Sequence, residues 1–334
     1  MTLLALAVLC FSVFAAVLVS TGWVVRILRR RAILDHPNER SSHAIATPRG
    51  AGWSVIPVLS AGWLAAAHAQ GALSAPVWWI CALALALGAV SWVDDLRGLS
   101  PVIRLLGQGI AVGIALIAAA PSTPYFGGYL PGALDPIAAG LLWIWYINLF
   151  NFMDGIDGIT VVETACTGVG VALVALVSGM AGTEAAFGLV AAAAAIALLW
   201  WNWHPAKIFL GDIGSVPLGF LLGWLLLNLA AGGQWVAALI IPAYYLADAT
   251  TTLFRRAARG EKVWRAHREH AYQQAVQKGA GHARVSLCIL AANLVLIGLA
   301  VLAALGWSWV ALAGAIVIVA GLLIFLRGGA GTVS

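Results

Sequence analysis

Charge is the scarcest feature of this 334-residue sequence. Asp, Glu, Lys and Arg together make up 9%, whereas a soluble domain carries about 25%. That shortfall excludes a water-soluble globular protein, and no nucleic-acid partner is expected. Cysteine is also scarce: Cys10, Cys81, Cys166 and Cys288 lie singly inside apolar runs, so neither a disulfide framework nor a cysteine zinc site is indicated. No basic stretch precedes the first apolar run; the arginines (Arg26, Arg29, Arg30, Arg31) follow it. This charge order is the reverse of a secretory signal and predicts an uncleaved first helix. Period-two alternation is missing as well, which excludes a membrane β-barrel. No internal repeat is visible.

What the chain has instead is 62% hydrophobic residues, sixteen tryptophans and a mean hydropathy of +0.96. Apolar runs of about 20 residues, the length needed to cross a bilayer core, recur from end to end. The pattern predicts an all-α integral membrane protein, a single polytopic domain over 1–334 with about eleven transmembrane helices. The spans fall near 3–26, 51–71, 75–93, 102–120, 136–153, 158–180, 184–203, 213–232, 234–253, 284–305 and 307–326. Every Lys and Arg then falls on one side, in loops of about 27–50, 94–104, 204–212 and 254–284 and in the tail after 326. By the positive-inside rule that side is cytoplasmic, with the N-terminus out and the C-terminus in. A bacterial inner membrane is the expected location.

The acids are less expected. Asp94, Asp95, Asp154, Asp157 and Asp212 sit at helix ends on the same basic side, with Asn148, Asn151, Glu163 and Asp248 just inside neighbouring helices. In Ser91-Trp-Val-Asp94-Asp95-Leu-Arg97-Gly-Leu-Ser100, adjacent carboxylates repel and want a cation or proton between them; a solvated pair ending a helix is the plainer alternative. In Asn148-Leu-Phe-Asn151-Phe-Met-Asp154-Gly155-Ile-Asp157-Gly158, oxygen-bearing side chains recur every third residue. The helix is expected to end near Asp154, with Gly155 and Gly158 letting the backbone turn and approach a ligand. A capped turn would explain the glycines, but not two Asn and two Asp where each uncompensated charge costs about 2.5–3.5 kcal/mol. In Lys207-Ile-Phe-Leu-Gly211-Asp212-Ile-Gly214-Ser215, the polar residues form either a helix N-cap or a metal-binding carboxylate beside free N–H groups. In His267-Arg268-Glu269-His270-Ala271-Tyr272-Gln273, His267 and His270 share a face at i, i+3 if helical. The basic run suits phosphate recognition, and an ordinary positive-inside loop accounts for its arginines only.

Taken in order, WVDDLRGLS, NLFNFMDGIDG, KIFLGDIGS and AHREHAYQ resemble the polyprenyl-phosphate N-acetylhexosamine-1-phosphate transferases. The first loop, Asp35-His-Pro-Asn-Glu-Arg40-Ser-Ser-His43 with Thr47-Pro48-Arg49-Gly50, is similar to that family's first cytoplasmic loop. The resemblance implies transfer of an N-acetylated sugar 1-phosphate from a UDP-sugar to polyprenyl phosphate, releasing UMP, with Mg²⁺ or Mn²⁺. It implies Asp212 and Asn151 as metal ligands, and Asp94 and Asp95 at the lipid phosphate. Asn148, Asp154 and Asp157 would bind substrate, the aspartates at the nucleotide end. Arg49, His267, Arg268 and His270 would also bind substrate, with the 267–270 run neutralising phosphate oxygens. HREHAYQ in place of consecutive histidines, and Asp248-Ala-Thr-Thr-Thr-Leu-Phe-Arg-Arg, resemble the O-antigen initiating branch, with FucNAc, QuiNAc or GlcNAc donors. A homodimer is compatible with this reading. A secondary transporter is the rival from another class; it would show mid-membrane charge and inverted repeats. A CDP-alcohol phosphotransferase would need an Ala-Arg after the Asp-Gly pairs, which is missing here.

Overall fold

The computed structural model describes residues 1–35, 45–180, 182–263 and 267–330. Among these the fold is helical, apart from a two-residue antiparallel ribbon of β1 (Leu34–Asp35) and β2 (Thr47–Pro48). The long helices are α1 (Leu3–Arg30), α2 (Gly52–Ala69), α3 (Ala75–Arg97), α4 (Pro101–Ala118), α5 (Leu134–Phe152), α6 (Ile159–Val177), α7 (Gly182–Asn202) and α8 (Asp212–Leu229). Shorter α9 (Trp235–Ile240), α10 (Ala243–Ala258) and α11 (Ala271–Gln277) follow, then α12 (His282–Leu302) and α13 (Ser308–Arg327).

Among the described residues, seven helical stretches are long and apolar enough to cross a membrane: Leu3–Arg30, Ala75–Arg97, Pro101–Ala118, Ile159–Val177, Gly182–Asn202, Asp212–Ile240 and His282–Arg327. The last two contain sharp turns at Gly233 and Gly306, both at positive φ. They therefore supply two arms each, which matches the expected boundaries near 233 and 306. The expected spans 51–71 and 136–153 are realised as α2 and α5, whose hydropathy is diluted by Gly, Ser and Trp and, in α5, by Asp135, Asn148 and Asn151. The expected helix 234–253 is not continuous. It breaks before Pro242, which has no N–H to continue the ladder, and restarts as α10.

The centre is α8. From Ile213 to Leu229 only Asn228 is less than buried, and α8 packs against α3, α5, α2 and α6. The α6–α7 pair meets backbone to backbone at Gly168 and Gly188, where a Cβ on either would strike the other's carbonyl. Small residues of this kind let membrane helices approach closely. Outward faces stay apolar, with exposed Phe11, Ile110, Ile117, Leu176, Ile316 and Ile324. Exposed Trp78, Trp79, Trp307 and Trp309 gather near one end of the bundle, and Trp23, Trp53 and Trp200 near the other. That arrangement suits two interfacial belts. The ends of α3, α5, α7 and α10 and the starts of α6, α8 and α12 share the second end, and there the charge collects.

Candidate active site

The start of α8 organises this end. Its first N–H groups have no partner within the helix, and Asp95 of α3 supplies one. Its carboxylate accepts from the Asp212 N–H at 3.1 Å and the Ile213 N–H at 3.0 Å. The cap thus comes from another helix, not from Asp212 or Ser215, the N-cap alternative that the sequence left open. Gly211 precedes the helix at φ 74, and Asp212 is left pointing outward in the first turn, where the helix dipole favours a negative charge.

Arg49 arrives on a separate support. The Phe209 N–H donates to the Pro48 carbonyl, the Gly50 and Ala51 N–H groups donate to the Phe209 carbonyl, and the Gly52 N–H donates to the Leu210 carbonyl. This stitching sets the Arg49 guanidinium 2.6 Å from Asp212 Oδ1 and 2.9 Å from Asp95 Oδ1. Burial would lower its pKa, but Asp212, Asp95, Asp35 and Asp154 raise it well above the ordinary value. Arg104 of α4 plays the matching part, 3.3 Å from Asp94 Oδ2 and 3.9 Å from Asp212 Oδ2. Asp94 also accepts the Leu99 N–H at 2.5 Å. The adjacent aspartates therefore do not share one cation. They diverge, each to its own arginine, and both arginines reach Asp212.

Beside this cluster lies a cavity of about 650 Å³. Its polar wall holds Asp212, Arg104, Gln108, Asn148, Asn151, His267, His270 and Gln273; its apolar wall holds Leu105, Leu141, Ile144, Trp145 and Leu253. Asn148 donates to Gln108 Oε1 at 2.6 Å and to the Ile144 carbonyl. The structure thus brings Asp212, Asn148, Asn151, His267 and His270 to one cavity, while Asp94, Asp95, Arg49, Asp154, Asp157 and Arg268 stand behind or beside it.

The histidines are not on one helix. Residues 267–269 are irregular, and His270 is the N-cap of α11. The rings still lie 4.8 Å apart. Burial, aided by the charge of Arg256, pushes both down to about 4, against Asp248 in the case of His270, so they are neutral when no anion is bound. Asp248, buried in α10, fixes this run by accepting the Ala271 N–H at 2.9 Å, with Tyr244 and Thr252 also donating to it. Glu163 is held in the core by Asn293 at 2.7 Å, away from the cavity. The loop residues His36–His43 lie outside the described residues.

The helix α5 ends at Phe152, as the spacing predicts, and Asp154 follows in the turn. Burial lifts Asp154 to about 6, against the opposing effects of Thr160 and Arg49. Gly155 was expected to make room for a ligand; it makes room for the chain itself. A Cβ there would collide with the Tyr272 hydroxyl, which donates to the Phe152 carbonyl at 3.0 Å. Tyr272 belongs to the HREHAYQ run, so two motifs 120 residues apart lock directly. Asp157 faces the other way, toward His204 and His282.

The model of Glycosyl transferase family 4 matches residues 77–230, the stretch that carries Asp94 through Asp212. Over that stretch the chain is similar to this family. Two relatives extend the likeness beyond that stretch. The chain is 29% identical over 304 residues to a decaprenyl-phosphate N-acetylglucosaminephosphotransferase of Mycolicibacterium smegmatis, covering 81% of this chain and 75% of the relative. It is 26% identical over 287 residues to a probable undecaprenyl-phosphate N-acetylglucosaminyl 1-phosphate transferase of Bacillus subtilis, covering 82% and 78%. Sequence reasoning had used Arg104 only to orient the chain and had passed over Gln108, His204 and His282. Arg104 and Gln108 lie at i+10 and i+14 from Asp94, and only the α3–α4 turn makes those positions neighbours of the motif.

Proposed function

We propose that this chain transfers an N-acetylated sugar 1-phosphate from a UDP-sugar to polyprenyl phosphate, giving polyprenyl-diphosphate-sugar and UMP. One observation carries the reading: a single cavity joins Asp212, Asn151, Asn148 and the histidines to an apolar wall. Such a site suits a charged phosphate head on an isoprenoid tail. A phosphate oxygen of the lipid attacks the sugar-bearing β-phosphorus, the bond from that phosphorus to the bridging oxygen breaks, and UMP leaves with the electron pair. One phosphorus–oxygen bond forms and one breaks, so no further energy source is needed.

The donor set fits Mg²⁺. Asp212 and Asn151 offer hard oxygens to the same cavity, and the Asn151 side chain has no hydrogen-bond partner among the described residues. When bound, the ion would offset the repulsion between two phosphate groups. The protein's own groups do the rest. Arg104 stands at the cavity as a fixed cation, oriented by Asp94. Asp95 and Arg49 hold Asp212 at its angle, so they act by positioning. His267 and His270 enter neutral and acquire protons as phosphate charge approaches. The apolar runs support eleven crossings, and the one-sided Lys and Arg support an outward N-terminus and a site on the cytoplasmic face, the membrane being read as a bacterial inner membrane. A role in starting O-antigen or another surface polysaccharide rests on the HREHAYQ run.

The test is transfer by purified protein from UDP-GlcNAc, UDP-FucNAc and UDP-QuiNAc to undecaprenyl phosphate with Mg²⁺. Lipid-linked diphosphate sugar and UMP in equal amounts are expected from at least one donor. Absence of product from every donor would return the transporter reading.

A further inference from the structure

A second chemical centre lies on the far side of the 153–158 turn. Asp157, at the end of that turn, His204, just past α7, and His282, the first residue of α12, converge on one point. Asp157 Oδ2 lies 2.6 Å from His204 Nδ1 and 3.4 Å from His282 Nδ1, and the three ligand atoms lie within 4.8 Å of one another. We propose that these three side chains form a binding site for a late first-row divalent cation of the Zn²⁺ class, separate from the hard-oxygen site at Asp212.

The donor types point to that class. Two imidazoles and one carboxylate suit Zn²⁺, Co²⁺ or Ni²⁺, whereas Mg²⁺ prefers oxygen alone. Around a tetrahedral ion with bonds near 2.0–2.1 Å, ligand atoms stand roughly 3.3 Å apart. The His282–Asp157 separation already matches. The 2.6 Å pair must open and the widest must close, each by a shift of side-chain size.

The hydrogen bonding supports the same conclusion. His282 Nδ1 is 3.4 Å from both the Asp157 N–H and its Oδ2. One nitrogen cannot accept from the first and donate to the second, so each tautomer leaves one of these long contacts unmet. An ion uses the nitrogen lone pair and the carboxylate oxygen together. Asp157 and His282 have side chains 7% and 8% exposed, and His204, at 44%, opens the site to solvent. The Ala206 N–H donates to the same Oδ2 at 3.2 Å, and Ser286 donates to the Asp157 carbonyl at 2.9 Å, so the carboxylate is held in place by the chain around it. Ligation would use the Nδ1 lone pair of each ring, so each neutral imidazole would carry its proton on Nε2. The bound ion would staple the α5–α6 turn, the segment leading to α8 and the start of α12. This inference does not depend on the transfer reaction.

The test is a Co²⁺ titration of the chelator-stripped full-length protein in detergent, read by visible ligand-field absorption and by the thermal unfolding midpoint. One equivalent of Co²⁺ should bind, be displaced by Zn²⁺ and raise the midpoint. His204→Ala and His282→Ala should each weaken binding at least tenfold and remove the midpoint rise, whereas Asp212→Asn and His267→Ala should keep both. Unchanged Co²⁺ spectra in His204→Ala and His282→Ala would overturn the proposal, as would loss confined to Asp212→Asn or His267→Ala. Loss of transfer in Asp212→Asn with the Co²⁺ spectrum intact would uphold both the separate site and the assignment of Asp212.

Discussion

The two carboxylate clusters at the charged end share one end of the bundle, though more than fifty residues separate them in the chain, and they are answered in opposite ways. Asp94, Asp95 and Asp212 face guanidinium groups, from Arg49 and Arg104. Asp157 faces imidazoles, from His204 and His282. Guanidinium is always charged and cannot ligate a metal. It fixes carboxylates in space and leaves Asp212 as a hard anion at the cavity. Imidazole titrates near neutrality and ligates. The first cluster therefore presents a permanent field, and the second presents lone pairs that a metal ion could use.

The sharpest way to break this contrast is Asp212→Asn against Asp157→Asn. Loss of the charged group at the cavity should cost transfer on the order of 10³-fold, with folded protein retained. Asp157→Asn should cost far less in kcat. Equal losses in steady-state assays would merge the two clusters into one. Next in size is Asp95→Asn. Replacing an acceptor of two backbone N–H groups should destabilise the start of α8 by about 1–3 kcal/mol and lower kcat about 10²-fold through misplacement of Asp212. Asp94→Asn should lower activity without the drop in unfolding midpoint, because it caps no helix. Matching stability losses in the two variants would remove the distinction between the neighbours.

Gly155→Ala should cost about 1–3 kcal/mol by overpacking against Tyr272. Tyr272→Phe in the same chain should recover part of that, a coupling read by a double-mutant cycle. Simple additivity would mean that the two motifs do not lock. A pH series sharpens the contrast further. His267 and His270 are held near 4 in the folded chain, below the ordinary value of about 6.5. The unfolded chain then binds more protons as pH falls from about 6.5 to 4, so stability is lost over that window. Phosphate in the cavity should reverse this by favouring the protonated rings. UDP-sugar binding should take up protons at pH 7 in calorimetry across buffers, and His270→Gln should take up fewer. The smallest effect belongs to Arg259→Ala. Its pairs with Glu261 and Glu269 are exposed, and transfer activity should stay within about twofold, since surface ion pairs contribute little.

Much of this molecule was legible in the sequence because bilayer physics writes itself in one dimension. A helix that crosses lipid must be a long apolar run, and among the described residues seven helical stretches of that kind form where the apolar runs lie. The end of α5 near Asp154 followed from glycine spacing in the same way. The resemblance to the family was legible because Asp94-Asp95, Asn148 to Gly158 and Lys207 to Ser215 are local strings. The break before Pro242 was missed because the apolar pattern continues across it.

The roles of the individual acids were not legible, because partners are chosen in three dimensions. Nothing in DD says that Asp95 will cap a helix 117 residues away while Asp94 turns to Arg104. Nothing in DGIDG says that Gly155 will hold Tyr272, or that Asp157 will face two histidines from loops far along the chain. The sequence by itself determined a helical membrane protein with its charge on one side and oxygen-rich motifs at helix ends, since hydropathy and spacing are local properties. Only the tertiary structure decided which carboxylate meets the cavity, which positions another and which faces imidazole. Those choices depend on helix crossings that bring distant residues within hydrogen-bonding range.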